Sequence, residues 1–222
     1  MNIEKFFIKK IKQNLLRRQI SYVNWRYHKA ELVERLKCIT SRLNEEYYLI
    51  SVYDQQGIKK TRVEGNDSIA VKFFFQSTGI EYHEENSVTI DHENGAVLIF
   101  SHSDVGFDTV FLYPANSKQS GAEHKTLILY SDNLGKRLSD KKLENLVRSL
   151  CLYHMYTSVL FDKSLLLRLK IAALRLKSFY FSYANPETKF KYSSGIYIPL
   201  ASFVVSVVAL VVAILALKLP NS

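Results

Sequence analysis

The stretch SVTIDHENGAVLIF, residues 87–100, decides how the middle of this chain folds. Two short runs rich in β-branched residues, 87–90 and 96–100, bracket a polar segment that ends in Asn94-Gly95. Asn-Gly is the strongest short hairpin signal, because both residues tolerate the positive φ of a tight turn. The pattern predicts a β-hairpin, with a loop of two residues or somewhat more.

Working outward, similar runs recur at 47–53 (YYLISVY), 69–75 (IAVKFFF), 109–113 (TVFLY) and 126–130 (TLILY). Turn signals separate them: Gly57, Gly65-Asn66-Asp67, Gly106, and the polar stretch 114–121. Six short strands with hairpin-length connections predict a small antiparallel sheet or barrel over residues 47–131.

Helical periodicity flanks this β region on both sides. Ile3, Phe7, Ile8, Ile11 and Leu15 form one apolar stripe; Leu32, Leu36, Ile39 and Leu43 form a second. Residues 1–46 thus read as a basic helical segment, with a pair of helices over the sheet as one arrangement. Residues 132–191 return to helix. Ser139 or Asp140 caps the first, with Leu143, Leu146, Val147, Leu150 and Met155 as core contacts. A second helix follows Asp162-Lys163 and carries Arg168, Lys170, Arg175 and Lys177. At about 100° per residue the two arginines share one side and the two lysines lie nearly opposite, so this helix is not cleanly amphipathic.

Residues 192–217 contain no charge, and 198–217 read IPLASFVVSVVALVVAILAL. Twenty residues at about 1.5 Å each reach roughly 30 Å, the thickness of a bilayer core. A transmembrane helix over 196–218 is expected, and the fold class is α+β with one C-terminal span. Lys189 and Lys191 before the run, against Lys218 after it, favour a cytoplasmic N-terminal region at an inner or plasma membrane. The charged N-terminus lacks the apolar core of a signal peptide.

The net charge of +9 is unevenly spread. Residues 1–48 carry 11 Lys and Arg against 5 acids, and 163–191 carry 7 against 1, while 49–162 carry 11 against 15. The basic flanks suit an anionic lipid surface, with Lys9, Lys12, Arg17, Arg18, Arg175, Lys177, Lys189 and Lys191 as contacts. The same lipid partner disfavours nucleic acid as the target of these cations.

No phosphate-binding glycine loop, zinc motif or nucleophile elbow is present. Cys38 and Cys151 have no metal spacing, so no metal and no cofactor are expected. The densest polar cluster is Glu81, His83, Glu84, Glu85, Asp91, His92 and Glu93, followed by His102, Asp104 and Asp108, with His83, Glu85, His92, His102 and Asp104 put forward as contacts. These are candidates for contacting a small ligand or a partner, and a metal-like or acid–base role needs them to converge in space. Arg148 and His154, separated by five residues, resemble the loose arginine–histidine pattern of HEPN ribonucleases. Six helical steps rotate by about 600°, so the two side chains fall on different faces and no membership follows.

Together these features predict a single-pass, C-terminally anchored, non-enzymatic protein without a catalytic residue. Its β-rich domain would sense a ligand or bind a partner protein, as a homo-oligomer. The alternatives are a membrane-disrupting effector or toxin, as in bacterial antiviral defence, and a membrane-anchored hydrolase or nuclease.

Overall fold

The computed structural model describes residues 3–45, 49–55, 67–82, 88–120 and 124–181, with Ser202, Val205, Ser206 and Ala209. The chain divides into two units, Met1–Phe181 and Ser182–Ser222. The first is α+β, with three helices and seven antiparallel strands.

Helix α1 (Ile3–Ser41) is continuous. The two apolar stripes belong to one helix rather than a pair, because residues 3–41 contain no glycine or proline to interrupt it. At about 100° per residue, Ile3, Phe7 and Ile11 lie on the same side as Trp25, Leu32 and Leu36. Only the second half is covered. Ser21, Trp25, Lys29, Leu32, Val33, Leu36 and Thr40 are buried, whereas Ile3, Phe7, Ile8, Ile11 and Leu15 are exposed.

The main sheet has the order β1-β2-β5-β6-β7, comprising β1 (Ile50–Gln55), β2 (Asp67–Phe73), β5 (Val97–His102), β6 (Asp108–Tyr113) and β7 (Leu127–Asp132). It is an open sheet and not a barrel, since β1 and β7 are its two edges. Strands β3 (Gln76–Tyr82) and β4 (Val88–Glu93) form a separate ribbon, inserted between the neighbours β2 and β5.

This arrangement overturns the expected hairpin over 87–100. Its two strands lie in different sheets: β4 pairs with β3, and β5 with β2 and β6. Asn94 instead bridges to Asn116, and Gly95 packs against Phe73. Strand β3 has no counterpart among the expected runs. It belongs to a ribbon whose aliphatic residues Ile80, Val88 and Ile90 are exposed and whose buried residues, Asp91 and Glu93, are polar, so apolar alternation is not required of it.

The core lies between one face of the main sheet and helices α1 and α2 (Asp140–Thr157). Ile69, Val71, Leu98, Phe100, Val110, Leu112, Leu127 and Leu129 from the sheet join Leu143, Leu146, Val147, Leu150 and Tyr153 of α2. Each such aliphatic side chain contributes about 1.5–3 kcal/mol on burial. Ser139 occupies the N-cap position of α2 as expected, though its side chain makes no capping bond, while Asp140 pairs with Arg35 of α1 at 2.5 Å. Met155 is half-buried against the core.

Helix α3 (Leu165–Phe181) closes the β7 edge. The backbone N–H of Ile128 donates to Ser178 Oγ at 2.8 Å, and Tyr130 meets Phe181 edge-on. A helix over an edge strand removes a template for unwanted pairing.

Among the described residues no helix is long and apolar enough to cross a membrane. The expected span falls outside the described residues except for Ser202, Val205, Ser206 and Ala209. These four are helical, and Ser206 Oγ donates to the Ser202 carbonyl at 2.8 Å.

Candidate functional site

Register places four polar residues in one row across the covered face of the sheet. Asp67 of β2 lies opposite His102 of β5, His102 opposite Asp108 of β6, and Asp108 opposite Asp132 of β7. The row ends the apolar core beneath α1. Trp25 stacks on the His102 ring at 5.4 Å and donates its Nε1–H to Asp67 at 2.9 Å. Lys29, buried, is bracketed by Asp54 and Asp67, each at 2.6 Å. A buried ammonium needs such partners to offset its lost hydration.

His102 is 4% exposed and its Nδ1 meets Asp108 Oδ1 at 2.5 Å. Burial raises the Asp108 carboxyl above its ordinary range, opposed by the hydrogen bond from His102. Tyr130, on the same face, is pushed up to about 12 by burial and by Asp132 and Asp108. His102 with Asp108, and Lys29 with Asp54 and Asp67, partner one another beneath α1 as a polar seam.

The sequence candidates are therefore separated. His102 is in the seam, and its carboxylate partner is Asp108 across the hairpin, not the nearby Asp104, which is exposed in the turn. His92 is exposed on the ribbon, edge-on to Phe75 at 5.4 Å. His83 and Glu85 lie outside the described residues. Among the described residues no cluster of His, Cys, Asp and Glu is suited to a metal ion.

A second buried polar pair brings together Glu93 and His154, which the sequence places in two unrelated patterns. Glu93, 2% exposed, accepts the Val159 N–H at 2.8 Å just beyond α2. His154, 3% exposed, stacks on Phe73 at 4.1 Å. Burial holds its imidazole below the ordinary range, with Glu93 opposing. Arg148 is exposed while His154 is buried, so the arginine–histidine pattern assembles no shared site.

The basic candidates also divide. Lys9 and Lys12 are exposed on the uncovered half of α1. Arg17 is committed to the body: its guanidinium donates to the carbonyls of Val105, Gly106 and Asn133 at 2.8–2.9 Å. Arg18 is half-buried at the same seam. Gly135 has φ 65°, and a Cβ there would lie 2.7 Å from the Ser21 carbonyl of α1, so glycine permits the close approach. Arg175 and Lys177 are exposed on α3; Lys189 and Lys191 lie outside the described residues.

The other face of the main sheet carries a different pattern. One register row reads Tyr53, Ala70, Ile99, Phe111 and Ile128 across all five strands. The next reads Ser51, Lys72, Val97 and Tyr113, and on the far side come Ser68, Ser101, Thr109 and Ser131. Ile99, Phe111 and Ile128 are half-buried, and Tyr53 and Tyr113 are exposed. Lys72 is the one charged residue in these rows. Comparison of the chain with protein families, curated proteins and solved structures finds no match.

Proposed function

We propose that this chain is a membrane-held, non-enzymatic binding protein whose α+β body associates through the open face of its sheet, with a second copy as the partner. The observation that carries this reading is the apolar band of exposed Tyr53 and half-buried Ile99, Phe111 and Ile128, in one register row with the buried Ala70. A contiguous apolar surface with little charge is the usual mark of an interface. At a net charge of +9 two copies repel over most of their surface. Among the described residues of these register rows, Lys72 is the one charge that opposes approach. The polar seam supports binding over chemistry, since His102 and Asp108 serve each other inside the fold. The membrane-held part rests on the uncharged run 192–217.

Light scattering of the full chain in a mild detergent tests the association. The wild-type protein is expected to be a dimer or larger, and Phe111→Glu a folded monomer by circular dichroism. A wild-type monomer at all concentrations, or an unchanged oligomer in Phe111→Glu, overturns the reading.

A further inference from the structure

Helix α3 has two apolar faces. Leu167, Ile171 and Ser178 are buried against the body. Leu165, Leu169, Leu176 and Tyr180 fall within roughly 60° of one another on the opposite side, at about 100° per residue. Leu165, Leu169 and Tyr180 are 74%, 63% and 68% exposed. The mixed pattern that makes α3 ambiguous as a sequence is thus two stripes, one of them unpartnered.

Cations line both margins of the outer stripe. Arg168 and Arg175 flank one side and Lys170 and Lys177 the other, all exposed, and α3 contains no acid. Leu166, 63% exposed, also lines a 230 Å³ groove whose apolar wall is Leu152, Met155, Phe161 and Leu167 and whose polar rim is Asp162, Ser164 and Lys170. An apolar stripe between rows of long basic side chains suits an interfacial helix. Leucines enter the acyl boundary while the cation stems snorkel to the phosphates.

We propose that the outer face of α3 lies on an anionic phospholipid bilayer. This rests on the membrane-held reading, because only residues 182–191 separate α3 from the uncharged run. Charge complementarity selects the occupant. A second copy would set four cations against four cations, whereas an anionic leaflet matches every one of them.

The full chain tests this, carrying Cys38→Ser, Cys151→Ser and Leu169→Cys, the last labelled with an environment-sensitive bimane. It is mixed with vesicles of phosphatidylcholine alone or with phosphatidylserine, each containing brominated phosphatidylcholine as quencher. Resistance to alkaline carbonate reads the span, and quenching at position 169 reads α3. Both are expected in anionic vesicles, with weaker quenching in neutral ones. Lys170→Gln with Lys177→Gln should weaken α3 docking roughly 30-fold, as two lost basic contacts of about 1 kcal/mol each imply. Carbonate-resistant insertion with an unquenched probe overturns the α3 proposal and leaves the span intact. Quenching without insertion overturns the span and keeps the α3 contact, and absence of both overturns the two together. Equal quenching in neutral and anionic vesicles also overturns the proposal as stated.

Discussion

Gly95 shows how one residue can be identified correctly for the wrong reason. Beside Asn94 it signals a turn that needs positive φ. In the fold its role is space: a Cβ at Gly95 would come within 2.4 Å of Phe73 Cβ and 2.7 Å of the Phe73 carbonyl. The Phe73 N–H also donates to the Ala96 carbonyl at 3.1 Å, which draws the two backbones together. Gly95→Ala therefore forces a backbone shift and is expected to cost about 1–3 kcal/mol, as overpacking does. Gly79→Ala is the comparison. Its added Cβ meets only the end of the Gln119 side chain at 3.2 Å, which can move. That substitution should stay within about 0.5 kcal/mol of wild type. Urea unfolding midpoints of the two variants check the contrast, and equal losses would contradict it.

At the scale of elements, the edge contact between α3 and β7 makes a separate prediction. Ser178 Oγ accepts the Ile128 N–H, and Ser178 is 8% exposed. Ser178→Ala leaves that N–H without its acceptor, at a cost of about 1–3 kcal/mol. Amide exchange at Ile128 should accelerate, and Ser178→Thr should restore protection. Unchanged exchange in the alanine variant would show that α3 guards the edge by packing alone.

Five of the strands are legible as short apolar runs because each supplies residues to the covered main sheet, and β4 is legible from its own β-branched run 88–90. Strand β3 is not, since QSTGIEY carries a single aliphatic residue, Ile80, and that side chain is exposed. The pairing of β2 with β5 across the inserted ribbon is invisible locally, as nothing in residues 87–100 records that β4 turns away. Of the site, His102 is legible as a polar residue ending an apolar run. Asp108 is legible beside it in the sequence, whereas Asp67 is joined to it by strand register and Trp25 by the packing of α1. The double-faced α3 is hidden because its two stripes cancel in any single measure of amphipathicity.

For the molecule as a whole, two buried groups give opposing dependences on pH. Asp108 has a folded-state pKa above its ordinary 3.8, so its contribution is full at low pH and is lost as pH rises through the raised value. His154 has a folded-state pKa below its ordinary 6.5. The unfolded chain then binds the proton more readily, and stability falls as pH drops below 6.5 towards the lowered value. Each unit of that difference is worth about 1.4 kcal/mol. The groups facing His154 are Phe73, Phe161 and the Glu93 carboxylate, of which only Glu93 favours the charged ring. Burial is the larger influence, so acid acts against the fold here. His154→Leu keeps an apolar side chain against Phe73 and removes the titration. Its unfolding midpoint should fall less than that of the wild type between about pH 7.5 and about pH 5. Parallel losses in the two proteins would mean that the acid sensitivity arises elsewhere. A steeper loss in the variant would mean that a charged His154 is held by Glu93, reversing the balance of burial and charge argued for this corner of the fold.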